Sequence, residues 1–359
     1  MKIMQVIPNL GYGGAEVMCA NLAIELKKMG HDILVVSLYS LKTSIVDEMV
    51  GKGVRFITLG KKGGIDFSFF LKLARIIHKE KPDVVHSHLY ATKYAQFLAS
   101  IFGVKTKIFT IHNEASKDGT RIDHCLNRFL LRFCNVIPVT LSNDLVESSC
   151  KVYGPKLRQM PVVFNGIPLD KCQLVDDYAK EAKRFLHVGR FMTAKNHKNL
   201  IEGFVEAKKK CPNIELFMYG EGPLQLEIMQ LVEEHEAASY IHYCGISSDI
   251  YSVMHGMDVF LLPSLWEGFP MTLVEAMGTG LPIITSNVGG IPNMLKNNHS
   301  ALLIEPNSES ITEAIVAMCS DSSLREKLGR NALEDSAKFS SKGMALSYLN
   351  VYGGSIWNR

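Results

Sequence analysis

Short apolar segments of strand length alternate with segments of helix length along nearly the whole chain, and this alternation restricts the fold more than any other feature. Strands joined through helices lie parallel and are covered on both faces, so each reads as an unbroken apolar run. In the first half the runs are Ile3 to Ile7, Ile33 to Leu38, Arg55 to Leu59, Val84 to His86, Lys107 to Ile111, Val136 to Val139 and Val162 to Phe164. The turn-rich stretch Asn165-Gly166-Ile167-Pro168-Leu169-Asp170 interrupts the rhythm and reads as a hinge. The rhythm then restarts with Phe185 to Val188, Glu215 to Tyr219, Ile241 to Tyr243, Val259 to Leu262, Ile283 to Thr285 and Ala301 to Ile304. Two α/β domains, divided near residue 165, account for a length of 359 residues better than one. The first helix is expected over Ala15 to Met29, with Gly30 at the position where a left-handed cap is wanted. The aromatic-rich end, Met344 to Trp357, is expected to pack back on the first domain.

No run approaches the roughly 18 apolar residues of a membrane span. The apolar run Lys2 to Pro8 is too short and too soon followed by glycines for a signal peptide, so it reads as a strand. The eight cysteines are scattered, none in a C-x-x-C, and read as reduced core residues of a cytoplasmic protein. Charge is unevenly placed. Residues 1–165 hold 22 Lys and Arg against 13 Asp and Glu, a balance of +9; residues 166–359 hold 17 against 23, a balance of −6. The first half is therefore expected to meet something anionic.

Three glycine or basic loops stand where parallel strands end. Gly11-Tyr12-Gly13-Gly14-Ala15-Glu16 follows the first strand and opens the first helix, where backbone amides can approach a phosphate. It is not a dinucleotide fingerprint: Glu16 replaces the third glycine, and Ser37, Leu38 and Tyr39 offer no acid for a ribose. A tight strand-to-helix turn explains the loop equally well. Gly189-Arg190 with Lys195-Asn196 puts two cations outside another strand end, an arrangement suited to a diphosphate. Gly220-Glu221-Gly222-Pro223 reads as a turn whose backbone is free to approach a ligand.

The most informative segment runs from Pro263 to Met277. Glu267 lies in the loop after a buried strand, and Glu275 lies about a turn into the next helix. Between them the backbone from Gly268 to Leu273 can present amides to an anion at the positive helix end, and Pro270 suits a helix start. Apolar neighbours favour a functional role for this acid pair over plain solvation.

On these residues the chain resembles the retaining glycosyltransferases of the GT-B fold, glycosyltransferase family 4. The resemblance rests on Gly13-Gly14-Ala15-Glu16, Gly189-Arg190 with Lys195-Asn196, Gly220-x-Gly222-Pro223 and the E-x7-E pair Glu267 and Glu275. It implies two facing Rossmann-like domains with a deep interdomain cleft. Residues 1–165, with the helix 341–359 packed back on them, would bind acceptor, and residues 166–340 would bind donor. It implies transfer of a hexose-type sugar from a nucleotide diphosphate sugar, here a UDP-sugar, to a lipid-linked or saccharide acceptor in surface polysaccharide synthesis. No metal or other cofactor is implied, and no D-x-D stands in the sequence.

By position, Glu275 would hold the donor ribose, and Thr272 and Leu273 the phosphate region. Arg190 and Lys195 would neutralise the diphosphate. Glu267, with the amides of Gly268 and Phe269, would hold the transferred sugar. Gly13 and Gly14 would also line the substrate site, and the backbone near Ile246 and Ser247 would face the base. His112, after the strand Lys107 to Ile111, matches the family's histidine near the reacting sugar. His86 and His88 are read as core residues or supports. The implied reaction is front-side attack with retention, the leaving phosphate accepting the acceptor's proton. A nucleotide-sugar epimerase and a non-catalytic sugar-nucleotide binder are the rival readings. The context of the acid pair opposes the first, and the complete set Arg190, Lys195, Glu267 and Glu275 opposes the second. Nucleic acid is not an expected partner.

An anionic membrane surface is. Arg121, His124, Arg128 and Arg132 recur on one helical face, with Leu126, Phe129, Leu130 and Phe133 as apolar partners. Lys72, Arg75 and Lys79 form a second basic helix, and Asn113 to Thr120 reads as a polar loop placed to meet an acceptor. The chain is thus expected in the cytoplasm, peripheral on the inner face of the cell membrane.

Overall fold

The computed structural model describes residues 1–62, 67–115, 120–175, 177–247 and 249–354. The expected segments 113–120 and 341–359 therefore lie partly outside the described residues. The chain divides into two compact units, Met1–Ile167 with the segment from Phe339 onward, and Pro168–Lys338.

The first unit is a six-stranded parallel sheet. Its strands are β1 (Lys2–Ile7), β2 (Asp32–Ser37), β3 (Arg55–Thr58), β4 (Val84–His88), β5 (Thr106–Ile111) and β6 (Val136–Thr140), in the order β3-β2-β1-β4-β5-β6. The second unit repeats the plan with β7 (Arg184–Val188), β8 (Glu215–Tyr219), β9 (Ile241–Tyr243), β10 (Val259–Leu262), β11 (Ile283–Ser286) and β12 (Leu302–Ile304), in the order β12-β11-β10-β7-β8-β9. Both are Rossmann-like sheets covered by helices on their two faces. Along β1 and β2 the period of two sorts the side chains. Ile3, Ile7, Ile33 and Val35 join one core with the helix Gly14–Lys28, while Met4, Val6, Leu34 and Val36 join the other.

Val162 to Phe164, expected as a strand, makes only an isolated bridge. Val163 N donates to Thr140 O at 2.8 Å and Thr140 N to Pro161 O at 3.1 Å. Pro161 has no N–H to extend the pairing. The first helix ends with Met29 as its cap, and Gly30 takes φ +84°, the left-handed value wanted there. The helix Ser341–Tyr352 adds Met344, Ala345, Tyr348 and Val351 to the core of the first unit. Its entry is clamped to the unit's exit point: Ile167 N donates to Phe339 O and Ser341 N to Ile167 O. A Cβ on Gly166 would lie 2.4 Å from Ser340 O, so only glycine lets these two segments pass. Of the cysteines, Cys19 is buried but Cys125 is exposed, so not all are core residues as expected.

Candidate functional site

In each sheet the winding reverses between two neighbouring strands, β1 and β4 in the first and β7 and β10 in the second. Such switch points open a crevice at the carboxyl ends of the strands. The candidate residues collect at these ends.

In the second unit the loop after β7 carries Arg190 and Lys195, and the loop after β10 carries Glu267. Lys195 Nζ donates to Glu267 Oε1 at 2.5 Å, and Ser264 Oγ donates to the same oxygen at 2.6 Å. Both side chains of the ion pair are mostly buried. Asn196 joins the two loops. It takes a left-handed conformation, φ +57°, and its Nδ2 donates to Pro263 O and Pro306 O; Leu265 N donates to Ala194 O. The Lys-Asn pair thus divides into a charge and a clamp. Gly289, at φ +53°, is pressed on the backbone of Glu267: a Cβ there would lie 1.9 Å from Glu267 O. Ser264 and Gly289 escape a reading by motif. The three-residue spacing of Ser264 from Glu267 is the one signal that could have marked the serine.

Gly220 and Gly222 also have a packing role. A Cβ on Gly220 would lie 2.1 Å from Gly189 O, and one on Gly222 would lie 2.3 Å from Phe191 O. Gly189 N donates to Tyr219 O and Phe191 N to Glu221 O. These glycines let one strand-end loop lie backbone to backbone on the Arg190 loop. Arg190 itself is exposed.

The helix Met271–Thr279 starts at Pro270, as expected. Leu273 N already donates to Pro270 O at 3.1 Å, so its amide is not the open one. The amides of Met271 and Thr272, both within the expected stretch Gly268 to Leu273, precede it at the positive end of the helix. Phe269 is buried and Gly268 half-buried. Glu275 is buried one turn in, and burial alone raises its carboxyl pKa from 4.5 to about 8. Ile246 and Ser247 follow β9, at the sheet's outer edge. A cavity of about 400 Å³ lined by Lys183, Lys208, Asn213, Glu215 and Tyr240 lies at the amino ends of β7 and β8, the wrong end for these groups, and is not part of the site.

In the first unit Gly13 and Gly14 are exposed at the amino end of the helix Gly14–Lys28, but the Glu16 carboxylate folds back to Gly13. An acid already sits at that positive helix end. His112 follows β5 and is buried with His88, its Nε2 lying 3.0 Å from His88 Nδ1. His86 Nδ1 meets Tyr352 Oη at 2.8 Å, and its Nε2 meets Thr110 Oγ1 at 2.7 Å, which in turn meets Tyr348 Oη. The expected core place of His86 is thus a polar one, supported by the C-terminal helix. Burial lowers the pKa of His112 to about 3 and holds His86 and His88 well below 6.5. Among the described residues no group of three or more His, Cys, Asp or Glu could hold a metal ion.

Comparison with known proteins agrees with this fold. A model described as Glycosyltransferase Family 4 matches residues 12–171, and one described as Glycosyl transferases group 1 matches residues 176–335. The chain is 27% identical over 276 residues to the UDP-Gal:α-D-GlcNAc-diphosphoundecaprenol α-1,3-galactosyltransferase of Escherichia coli, covering 71% of each chain. It is 26% identical over 362 residues to the N-acetylgalactosamine-N,N'-diacetylbacillosaminyl-diphospho-undecaprenol 4-α-N-acetylgalactosaminyltransferase of Campylobacter jejuni, covering 94% of this chain and 95% of that one. Among solved structures, Anabaena HepE in complex with UDP shares the fold with a TM-score of 0.84 at 16% identity, covering 99% of this chain and 100% of that one. Two Rossmann-like sheets, the first from β2 onward within the match to Glycosyltransferase Family 4 and the second within the match to Glycosyl transferases group 1, identify the chain as a member of the GT4-like glycosyltransferases of the GT-B fold, an enzyme that transfers a sugar from a nucleotide diphosphate sugar to a glycan or lipid acceptor.

Proposed function

We propose that this enzyme moves a hexose-type sugar, with retention, from a UDP-sugar to a lipid-linked or saccharide acceptor in surface polysaccharide synthesis. The observation that carries the donor part is the cluster at the carboxyl ends of β7 and β10: Lys195 held on Glu267, Arg190 exposed on the same loop as Lys195, and a buried Glu275 on a helix whose first amides are open. In this reading Glu275 accepts the ribose hydroxyls. Arg190, Lys195 and the amides of Met271 and Thr272 take the diphosphate. Glu267, with Gly268 and Phe269, holds the transferred sugar. Gly13 and Gly14 give a substrate close approach to the first unit, and His112 meets the reacting sugar. The leaving phosphate accepts the proton of the attacking hydroxyl, so the protein's work is positioning and charge stabilisation. The undecaprenyl-linked acceptors named for the Escherichia coli and Campylobacter jejuni relatives support the lipid-linked acceptor.

A panel of nucleotide sugars read by thermal shift tests the donor assignment, because a ligand that binds only the folded state raises its midpoint. UDP and one UDP-sugar are expected to raise it; a rise with another nucleotide and none with UDP would overturn the base. Turnover is expected to continue unchanged in EDTA, because Arg190 and Lys195 supply the charge the leaving diphosphate needs. Loss of turnover restored by Mg²⁺ or Mn²⁺ would refute this.

The first unit is proposed to dock on an anionic membrane. The helix Arg121–Phe133 leaves Ile122, Leu126, Phe129 and Phe133 exposed at 72, 44, 50 and 66%. Their spacings of four, three and four make one apolar stripe. Arg121, Arg128 and Arg132 are exposed alongside it. This differs in detail from the expected face: Leu130 is buried, Ile122 takes its place in the stripe, and His124 packs on Tyr153. Among the described residues no helix is long and apolar enough to cross a membrane. An apolar stripe rimmed by arginines suits a helix lying in the headgroup region, each basic residue adding about 1 kcal/mol. Co-sedimentation with phosphatidylglycerol vesicles is expected to fall with salt, and to fall at least about tenfold when Arg128 and Arg132 are changed to Glu. A wild type that stays in the supernatant at low salt would end the membrane proposal and leave the transferase intact.

A further inference from the structure

We propose that Gln5 and His88 are positioning residues: a one-way hydrogen-bond chain through them fixes the tautomer of His112, so that its ring presents a bare Nδ1 as an acceptor for a hydroxyl of the transferred sugar. The inference deepens the reading that sets His112 beside the reacting sugar, and it rests on that reading.

The chain begins at a group whose role is not in doubt. The backbone carbonyl of Cys19 can only accept, and Gln5 Nε2 lies 3.4 Å from it. This sets the Gln5 amide with Oε1 on the other side. That oxygen accepts from Cys19 Sγ at 3.2 Å and lies 3.0 Å from His88 Nε2. Burial raises the Cys19 pKa far above the usual thiol range, so the sulfur keeps its proton and can donate. An amide oxygen cannot donate, so the hydrogen between Gln5 and His88 must belong to His88 Nε2. A neutral imidazole carries one hydrogen, which leaves His88 Nδ1 as a lone pair. It lies 3.0 Å from His112 Nε2, which must then be the donor. His112 has spent its one hydrogen, and its Nδ1 can only accept.

The rings stay neutral for a geometric reason. His86 and His88 have centroids 4.2 Å apart, and His88 and His112 5.3 Å, all three buried. A charge on one would face two neighbours that cannot compensate it. At the end of the chain, His112 Nδ1 is buried with no hydrogen-bond partner among the described residues. Every other ring nitrogen of the three histidines has one. An unsatisfied buried acceptor at the carboxyl end of β5 costs free energy in the empty protein and recovers it when a hydroxyl donates to it. The reverse tautomer would aim an N–H at the same point and would lose any ligand group that must donate there.

Nitrogen-15 spectra of histidine-labelled protein read the tautomer directly, without substrate. The wild type is expected to show His112 Nε2 as the protonated, pyrrole-type nitrogen and Nδ1 as the bare, pyridine-type one, unchanged across about pH 6 to 8. A protonated Nδ1 overturns the inference whatever the kinetics show. Gln5→Met removes the acceptor for His88. It is expected to shift the His112 resonances and to lower kcat about tenfold, the worth of one hydrogen bond, with little change in donor KM. A shifted spectrum with full turnover in Gln5→Met, while His112→Ala is inactive, overturns the positioning role alone. Full turnover in His112→Ala overturns the placing of His112 beside the sugar, and the inference with it.

Discussion

Changing Glu275 to Gln is expected to raise the melting midpoint of the free protein at alkaline pH while costing it most of its turnover. The sign follows from where the proton sits. In the unfolded chain the carboxyl loses its proton near 4.5, and in the folded chain near 8, because burial disfavours the charged form. Between these values the folded protein holds a proton that the unfolded chain has released. Stability therefore declines as pH rises from 4.5 and levels off above 8. At about 1.4 kcal/mol per pH unit, the folded state above pH 8 carries a penalty of roughly 3–5 kcal/mol from this one group. Gln at 275 has nothing to ionise and escapes it. The two proteins should melt together near about pH 4.5 and separate by several degrees near about pH 9. Donor binding should run the other way. Ribose hydroxyls donating to the carboxylate favour its charged form, so UDP affinity should rise in the wild type between about pH 6 and 8. Gln should lose that dependence and about 10- to 100-fold in kcat/KM for the donor, the usual worth of a hydrogen bond to a charged group. Parallel melting curves across the pH range would remove the buried charge from the account, and full turnover in the variant would remove the ribose contact.

What could be read from the sequence follows from what is local. The strands were legible because parallel strands buried on both faces leave continuous apolar runs, and the order of loops along the chain marks strand ends without knowledge of the fold. Glu267 and Glu275 were legible for a similar reason: a strand, a short loop and a helix hold both within one segment. The partners that set their behaviour were not. Lys195 reaches Glu267 across 72 residues, and Gly289 fits under Glu267 only because two loops meet. Gln5 was a visible anomaly, one amide inside the run Ile3 to Ile7, but its partner His88 stands 83 residues on. The helix Arg121–Phe133 was found with its boundaries, yet Leu130 was set on the wrong side. An amphipathic pattern gives the faces of a helix, and the neighbouring helix decides which face is covered.

The same long-range contacts separate the two cations of the second unit, which the sequence presents as equivalents. Arg190→Ala is expected to lower kcat about 10²- to 10³-fold, as loss of a preorganised charge at a leaving group does, with an unchanged melting midpoint. Its side chain is exposed, and among the described residues no ion pair or hydrogen bond holds it. Lys195→Ala should lower kcat as much but also destabilise the fold. It leaves the Glu267 carboxylate mostly buried with Ser264 as its remaining donor. The pair lies between an exposed ion pair, worth less than about 1 kcal/mol, and a fully buried one, whose breaking costs about 3–5 kcal/mol. A loss of about 1–3 kcal/mol is therefore expected. A double-mutant cycle separates charge from support. If Lys195 also holds Glu267 in place, Lys195→Ala combined with Glu267→Gln should be more stable than Lys195→Ala alone, because no carboxylate is left stranded, while turnover stays low. If Lys195 served only the diphosphate, Glu267→Gln would bring no relief. Near-normal turnover in both Arg190→Ala and Lys195→Ala would sink the diphosphate assignment, since no other pair of cations follows β7 in the described loop.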